Sequence, residues 1–353
     1  MFVYWFMFAI PVFAISYPLR LTAYARNWAW GAIYVLFVLI IGLRFEVGGD
    51  WITYWDHYES VIRVPFNEAA FAGQDPGYVL IVWLCTQAGL SQSAGIYVVN
   101  LVCGAVVMVG INYFCRRQPQ PWLALAIAVP YLIIVVAMGY SRQGVALGLE
   151  LIALVALTDG RLMRFVFLIA CAGLFHKSAV LLLPLGILAA SDRRIWVVAS
   201  MLVMSVLLGS AILLEYYEAL WTNYVQAGLE SEGGPIRVAM NAVPAIVFLL
   251  FAKKFAPMRR ERKLWVGIAL FALICIPLVG IASTAVDRVA LYFMPIQLYV
   301  YSRIECLFRS TNLRWMAIAT ILASYALVLW VLLNYATFVS VYWVPYNNAA
   351  FFW

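Results

Sequence analysis

Between Arg44 and Tyr58 the chain reads RFEVGGDWITYWDHY, and residues suited to chemistry replace residues suited to lipid: an Arg, a Gly pair, two Asp, a Glu, a His and several Trp and Tyr rings. Gly48 and Gly49 permit a sharp turn or a close backbone approach to a ligand. Asp50 stands where a helix over 50–62 would start, at its N-cap or in its first turn. Spacings of three and four sort that helix into stripes: Asp50, Tyr54, His57; Trp51, Trp55, Tyr58, Ile62; and Asp56, Glu59, Arg63. The pattern suits a helix in a membrane interface, with rings at headgroup depth, one polar stripe toward water and one toward protein. An ordinary amphipathic loop helix would show the same stripes.

Further along, cations stand at the mouths of apolar segments. Arg142 follows Gly139, Tyr140 and Ser141 and opens a segment together with Gln143; Lys177 follows His176 between two short segments; Arg288 follows Asp287. One such cation can simply snorkel to headgroup phosphates. Several converging with Arg44 would form an anion pocket, and a fork of guanidinium donors suits a phosphate or diphosphate. Glu150 lies on the helix face of Gln143, about 10 Å further into the segment. A carboxylate there costs a few kcal/mol unless paired, protonated or wetted, so it either binds polar substrate or, as a neutral acid, bonds a neighbouring helix. His176 reads as an interfacial residue or as a base, the adjacent Lys177 favouring its neutral form.

The elements that must position these groups are membrane helices. Hydrophobic residues make up 66% of the chain and charged residues 11%, against about a quarter charged in soluble domains. Apolar runs recur throughout, which predicts an all-α polytopic membrane protein of about 12 transmembrane helices in a single membrane domain over residues 1–353. Spans are expected at 1–19, 28–43, 95–115, 121–139, 142–158, 162–175, 177–190, 194–214, 236–252, 264–283, 287–304 and 314–334, with outer loops at 44–75 and 215–235. The first segment, with no basic residues before it, reads as a retained span. Segment 76–90 is short and bounded by Pro76-Gly77 and Gly89, and reads as re-entrant. That choice gathers most of the 23 Lys and Arg on one side, as the positive-inside rule requires, and puts the N-terminus and the 44–75 loop outside. Arg44, Arg63, Arg142, Lys177, Arg237 and Arg288 are then the cations placed against the rule.

Orientation also accounts for the net charge of +7 better than nucleic-acid binding does, because the cations lie singly or in small groups between spans. The six Cys form no C-x-x-C pair and read as small hydrophobes, and with only two His no metal site or cofactor is expected.

Several stretches, in order along nearly the whole chain, resemble the EpsG family of Wzy-type exopolysaccharide polymerases. They are Gly42-Leu43-Arg44-Phe45 through Val47, Gly48, Asp50 and Tyr54; Arg142-Gln143-Gly144 with Ala146; Phe175-His176-Lys177-Ser178-Ala179; Asp287-Arg288 with Tyr292-Phe293; and Trp343, Pro345 and Tyr346. The resemblance implies a bacterial inner-membrane protein that joins oligosaccharide repeat units, carried on undecaprenyl diphosphate, at the periplasmic face. It also implies a glycosyltransferase-C-like architecture, in which an acid of the first outer loop is often catalytic, and a chain-length regulator and a flippase as partners.

Residue chemistry fits that reaction. A diphosphate leaving group needs its developing charge neutralised, which Arg and Lys do without a metal, and the acceptor hydroxyl needs a base. Arg44, Arg142, Lys177 and Arg288 are assigned to the diphosphate; Gln143, Tyr54, Glu150 and Asp287 complete the substrate-binding set. Asp50 is assigned as general base with His176 as its rival. A ligase or polyprenyl-linked glycosyltransferase would use the same pocket. A transporter or flippase of the lipid-linked glycan would instead spread its cations along a path.

Overall fold

The computed structural model describes residues 1–17, 22–62, 64–71, 75–190, 195, 199, 233–281 and 283–351. Nearly all of the expected span 194–214 and outer loop 215–235, together with Arg63, lies outside them. Among the described residues, six helices are long and apolar enough to cross a membrane: α2 (Ala23–Gly42), α6 (Gln92–Arg116), α8 (Ser141–Thr158), α11 (Gly234–Phe255), α12 (Arg259–Val279) and α15 (Thr311–Tyr335). Shorter apolar helices are α1 (Phe2–Ser16), α5 (Pro76–Gln87), α7 (Pro121–Ala128) continued by a π-helical stretch Val129–Ala137, α9 (Leu162–Phe175), and a 3-10 turn Lys177–Leu182 running into α10 (Leu183–Ala190). The protein is thus an all-helical, multi-pass membrane protein. The twelve residues of α5 reach only about 18 Å, short of a hydrocarbon core of about 30 Å.

Local chemistry sets the helix ends. Thr22 and Ser91 cap α2 and α6, their hydroxyl oxygens accepting from the Ala25 and Ala94 amides at 3.2 and 3.3 Å. Pro76 occupies the first turn of α5, where its missing amide hydrogen costs nothing. The segment expected as one span over 287–304 is divided instead into α13 (Ser283–Ala290), a 3-10 turn Leu291–Phe293, and α14 (Pro295–Tyr301). Pro295 explains the break, since a proline inside a helix removes a hydrogen bond and crowds the preceding turn.

The residues pack as two compact units. The first comprises Met1–Leu151, Cys171–Lys177 and Ile318–Trp353; the second comprises Ile152–Ala170 and Ser178–Ala317. In the first, α6 is the central post. A Cβ on Gly104 would sit 3.0 Å from Ile41 of α2, and one on Gly110 would strike the Gly148 carbonyl of α8, so small residues set these crossings.

The C-terminal segment closes this unit. Arg44 and Asn348 form an antiparallel bridge, the Ala349 amide donates to Leu43 O at 2.7 Å, and the Gly48 amide donates to Tyr342 O at 2.8 Å. Gly48 has φ +111°, and a Cβ there would collide with the Met138 carbonyl, so the loop needs glycine at this point. Trp343 is fully buried and donates from Nε1 to Ile134 O at 2.8 Å, a carbonyl of the π-helical stretch, while its own carbonyl accepts from the Tyr4 hydroxyl at 2.6 Å.

In the second unit, α11 packs along α12 and against α14. A polar chain crosses its core: Gln297 Nε2 donates to Asn241 Oδ1 at 2.6 Å, and Asn241 Nδ2 donates to Ala290 O at 2.8 Å. Trp265 stacks on Tyr299 at 3.8 Å, and the Tyr299 hydroxyl donates to Glu261 at 2.8 Å.

Trp343→Ala is expected to lower stability by about 3–5 kcal/mol through the cavity it leaves. Trp343→Phe keeps a ring but orphans the Ile134 carbonyl, costing about 1–3 kcal/mol. Thermal unfolding of the purified protein in detergent measures both.

Candidate functional site

The helix anticipated over 50–62 is present as α3 (Trp51–Val61), and α5 and α6 pack against it. Its stripes divide much as spacing predicts, with Asp56 and Glu59 exposed and Tyr54 and His57 buried. The aromatic stripe behaves differently. Trp51 and Tyr58 are buried and Trp55 is half-buried, so these rings pack against protein; Trp51 lies 6.3 Å from Tyr97, and the Tyr58 hydroxyl donates to Leu90 O.

A cavity of about 290 Å³ opens where α3, α5 and the start of α8 meet, lined by Thr53, Tyr54, Asp56, His57, Ser60, Tyr78 and Arg142. Arg142 supplies the charge. Its Nη1 lies 3.1 Å from Asp75 Oδ2, its guanidinium stands 5.7 Å from the Tyr54 ring centroid, and its backbone amide donates to the Tyr54 hydroxyl at 3.4 Å. The Arg142 side chain is still 31% exposed, so it can take a further ligand.

His57 is the unusual group. It is 8% exposed, its ring lies 5.6 Å from that of Tyr78, and among the described residues neither of its ring nitrogens has a hydrogen-bond partner; the Tyr78 hydroxyl likewise has none. Buried polar atoms are normally satisfied. Three orphans around one cavity are therefore places for a ligand's hydroxyls and oxygens. Burial first, and the nearby Arg142 cation second, lower the His57 pKa to about 4. The ring is neutral at pH 7, able to accept a hydrogen bond or a proton. Burial, with Asp50 adding to it, pushes the Tyr54 phenol up to about 12, so Tyr54 keeps its proton.

Other residues singled out in the sequence take varied positions. Arg44 is 1% exposed with its donors engaged: Nε to Val47 O at 3.1 Å, Nη1 to Ile41 O at 2.5 Å, and Nη2 to Asn100 Oδ1 at 3.2 Å and Ser141 Oγ at 2.9 Å. It clamps the scaffold rather than facing the cavity. Asp50 is half-buried, one turn before Tyr54, and Gln143 is buried one residue after Arg142. His176 is half-buried and Lys177 exposed, on the segment that follows α9; Gly77 of α5 packs there, where a Cβ would lie 3.0 Å from both Leu174 O and the Phe175 ring. Glu150 is fully buried, and among the described residues neither carboxyl oxygen has a hydrogen-bond partner. In the second unit Asp287 is held by Arg237 through two bonds of 2.6 and 2.7 Å, and Arg288 is exposed.

His57, Tyr78 and Asp75 are the cavity's additions to the sequence reading. His57 was in view on the Tyr54 stripe, three residues on; Asp75 and Tyr78 flank the Pro76-Gly77 helix start that marks α5.

The depressed His57 pKa has a definite pH signature. Unfolded, the ring titrates near 6.5; folded, near 4, so between these values the unfolded chain binds the extra proton. Stability is expected to fall as pH drops from about 6.5 toward 4. His57→Gln should flatten that part of the melting-temperature profile, and Arg142→Gln should narrow it by raising the folded-state pKa.

No curated protein and no solved structure matches the chain. A family model does: that of the EpsG family, over residues 27–348, a range that holds the whole cavity and the clamp beneath it. A polysaccharide polymerase-like membrane protein follows from that match, and the chain belongs to the EpsG family.

Proposed function

We propose that the protein is a glycosyltransferase that polymerises oligosaccharide repeat units carried on undecaprenyl diphosphate, acting at the periplasmic face of the bacterial inner membrane. The observation that carries this reading is the neutral His57, both nitrogens unpartnered, in a cavity it shares with the partly exposed Arg142. A cation and a neutral base side by side suit the two demands of the reaction, an anionic leaving group and a hydroxyl nucleophile.

In this scheme the acceptor sugar's hydroxyl oxygen forms a bond to the donor's anomeric carbon as the bond from that carbon to the diphosphate oxygen breaks. The diphosphate leaves with the electron pair, stabilised by Arg142, and the hydroxyl proton passes to a ring nitrogen of His57. A pKa near 4 makes His57 a weak base beside the Arg142 cation. The donor corrects this: its diphosphate neutralises the Arg142 charge that disfavours the imidazolium, and adds negative charge of its own. His57 therefore gains basicity when donor is bound. Tyr78 offers its unpartnered hydroxyl to the sugar, and Asp50, a turn before Tyr54, adds negative charge that keeps the Tyr54 phenol protonated.

The test is the length distribution of lipid-linked glycan in cells carrying wild type, a deletion, His57→Gln or Arg142→Ala, with protein levels matched. Loss of a general base costs about 10²–10⁴-fold in rate, so single repeat units should accumulate and long chains disappear in both variants. Long chains at the wild-type level would remove this cavity from the reaction, and long lipid-linked chains that pile up unreleased would make the protein a ligase.

A further inference from the structure

The cavity shared by His57 and Arg142 has two unlike ends. Arg142 meets it beside Tyr54, in the first turn of α3. Ser60, six residues further along that helix and therefore about 9 Å away, lines it as well. His57 stands between them. The volume of about 290 Å³ lies at the lower end for small-molecule pockets, a size for the end of a glycan rather than for a whole repeat unit.

The lining is also divided between rim and wall. Thr53, Asp56 and Ser60 stand at i, i+3 and i+7, so they share one helix face, and all three are exposed where Tyr54, His57 and Tyr78 are buried. The two acids beside the cavity differ in the same way. Asp75 is paired with Arg142 at 3.1 Å, whereas the Asp56 carboxylate makes no hydrogen bond or ion pair among the described residues. The Ser60 hydroxyl donates to His57 O at 2.8 Å, which leaves its oxygen to accept from an incoming donor. The rim at this end is therefore a set of acceptors.

Such a rim suits a sugar. An ionised carboxylate accepts through both oxygens, which matches two adjacent hydroxyls of a pyranose. Tyr54 and Tyr78, their ring centroids 5.2 Å apart, give an apolar wall for the C–H face of the same ring. Behind the rim, His57 and the Tyr78 hydroxyl are buried and without hydrogen-bond partners among the described residues, so the cavity holds polar atoms that a ligand would satisfy. Charge then narrows the kind of sugar. A diphosphate on Arg142 takes up the cation of the cavity, and Asp56 is left as a negative charge at the far end. A uronic acid placed there would meet like charge, and a neutral sugar would not.

We propose that Asp56 and Ser60 form the acceptor subsite, binding two adjacent hydroxyls of a neutral sugar at the non-reducing end of the acceptor glycan. This assignment rests on the glycosyl transfer proposed above. The donor's diphosphate lies at the Arg142 end of α3, the acceptor sugar lies at the Ser60 end, and the attacking hydroxyl is presented to His57 at the junction. Asp56 thereby sets both the position and the charge class of the acceptor.

The test uses full-length protein purified in detergent, and single lipid-linked repeat units from cells that lack the protein. Mild acid releases the free oligosaccharide from these units, a probe with an acceptor end and no diphosphate. Its affinity is read by isothermal titration calorimetry, and chain growth by the lengthening of lipid-linked units. Relative to wild type and to Glu59→Gln, which removes an exposed acid that does not line the cavity, affinity should fall about 10-fold in Asp56→Asn and about 3-fold in Ser60→Ala. The melting temperature of Asp56→Asn should not change. Linkage analysis should find a neutral sugar with adjacent free hydroxyls at the probe's non-reducing end. Wild-type affinity in Asp56→Asn, or a uronic acid at that end, overturns the subsite; if His57→Gln still abolishes chain growth, the proposed reaction stands without it. Wild type that fails to bind the probe also overturns the subsite, and wild type that in addition fails to lengthen chains overturns the reaction with it.

Discussion

A buried guanidinium governs this molecule. Leaving the charge of Arg44 unsolvated and unpartnered would cost several kcal/mol, so the surrounding segments must bring acceptors to it, and they do so from four places: Ile41 at the end of α2, Val47 in the loop, Asn100 in α6 and Ser141 at the start of α8. Each of those positions is fixed by the same obligation. Ser141 is the residue before Arg142, so the requirement to satisfy one arginine also fixes where the next one begins. The cavity inherits its geometry from a clamp that does not line it.

The charges at the cavity are balanced against one another. Asp75 answers the charge of Arg142, which lets the cation persist in a partly buried place. An incoming phosphate would compete with that carboxylate for a single guanidinium. His57 lies on the other side of the balance, kept neutral by burial and by the cation it neighbours. A change at Arg142 is thus felt in the protonation of His57.

The helical architecture was legible in the sequence because lipid imposes strong rules: apolar runs, capping residues and charge bias are all local. Spacing alone placed Tyr54 and His57 together and facing protein. The same spacing could not tell that Trp51 and Tyr58 pack beneath α5 and α6, because an aromatic ring toward lipid and one toward protein obey the same periodicity. Arg44 shows the limit more sharply. Its four acceptors come from residues as distant in sequence as Ser141, all of them uncharged side-chain or backbone oxygens with no sequence signature, so an anion-binding arginine and a scaffold arginine read alike. The division of 283–301 around Pro295 was signalled by the proline itself and outweighed by the apolar run around it.

The segment Tyr342 to Ala349 emerges from the ribosome roughly three hundred residues after the loop it secures, yet it supplies the partners that hold Gly48 and Leu43 and the indole that rests under the π-helical stretch. Most of the membrane helices must therefore be inserted before their floor exists. Contacts so distant along the chain form late and slowly, which makes completion of this part of the protein a post-insertion event. During synthesis the nascent chain carries the charged loop unlatched until the Tyr342–Ala349 segment joins the inserted helices around it.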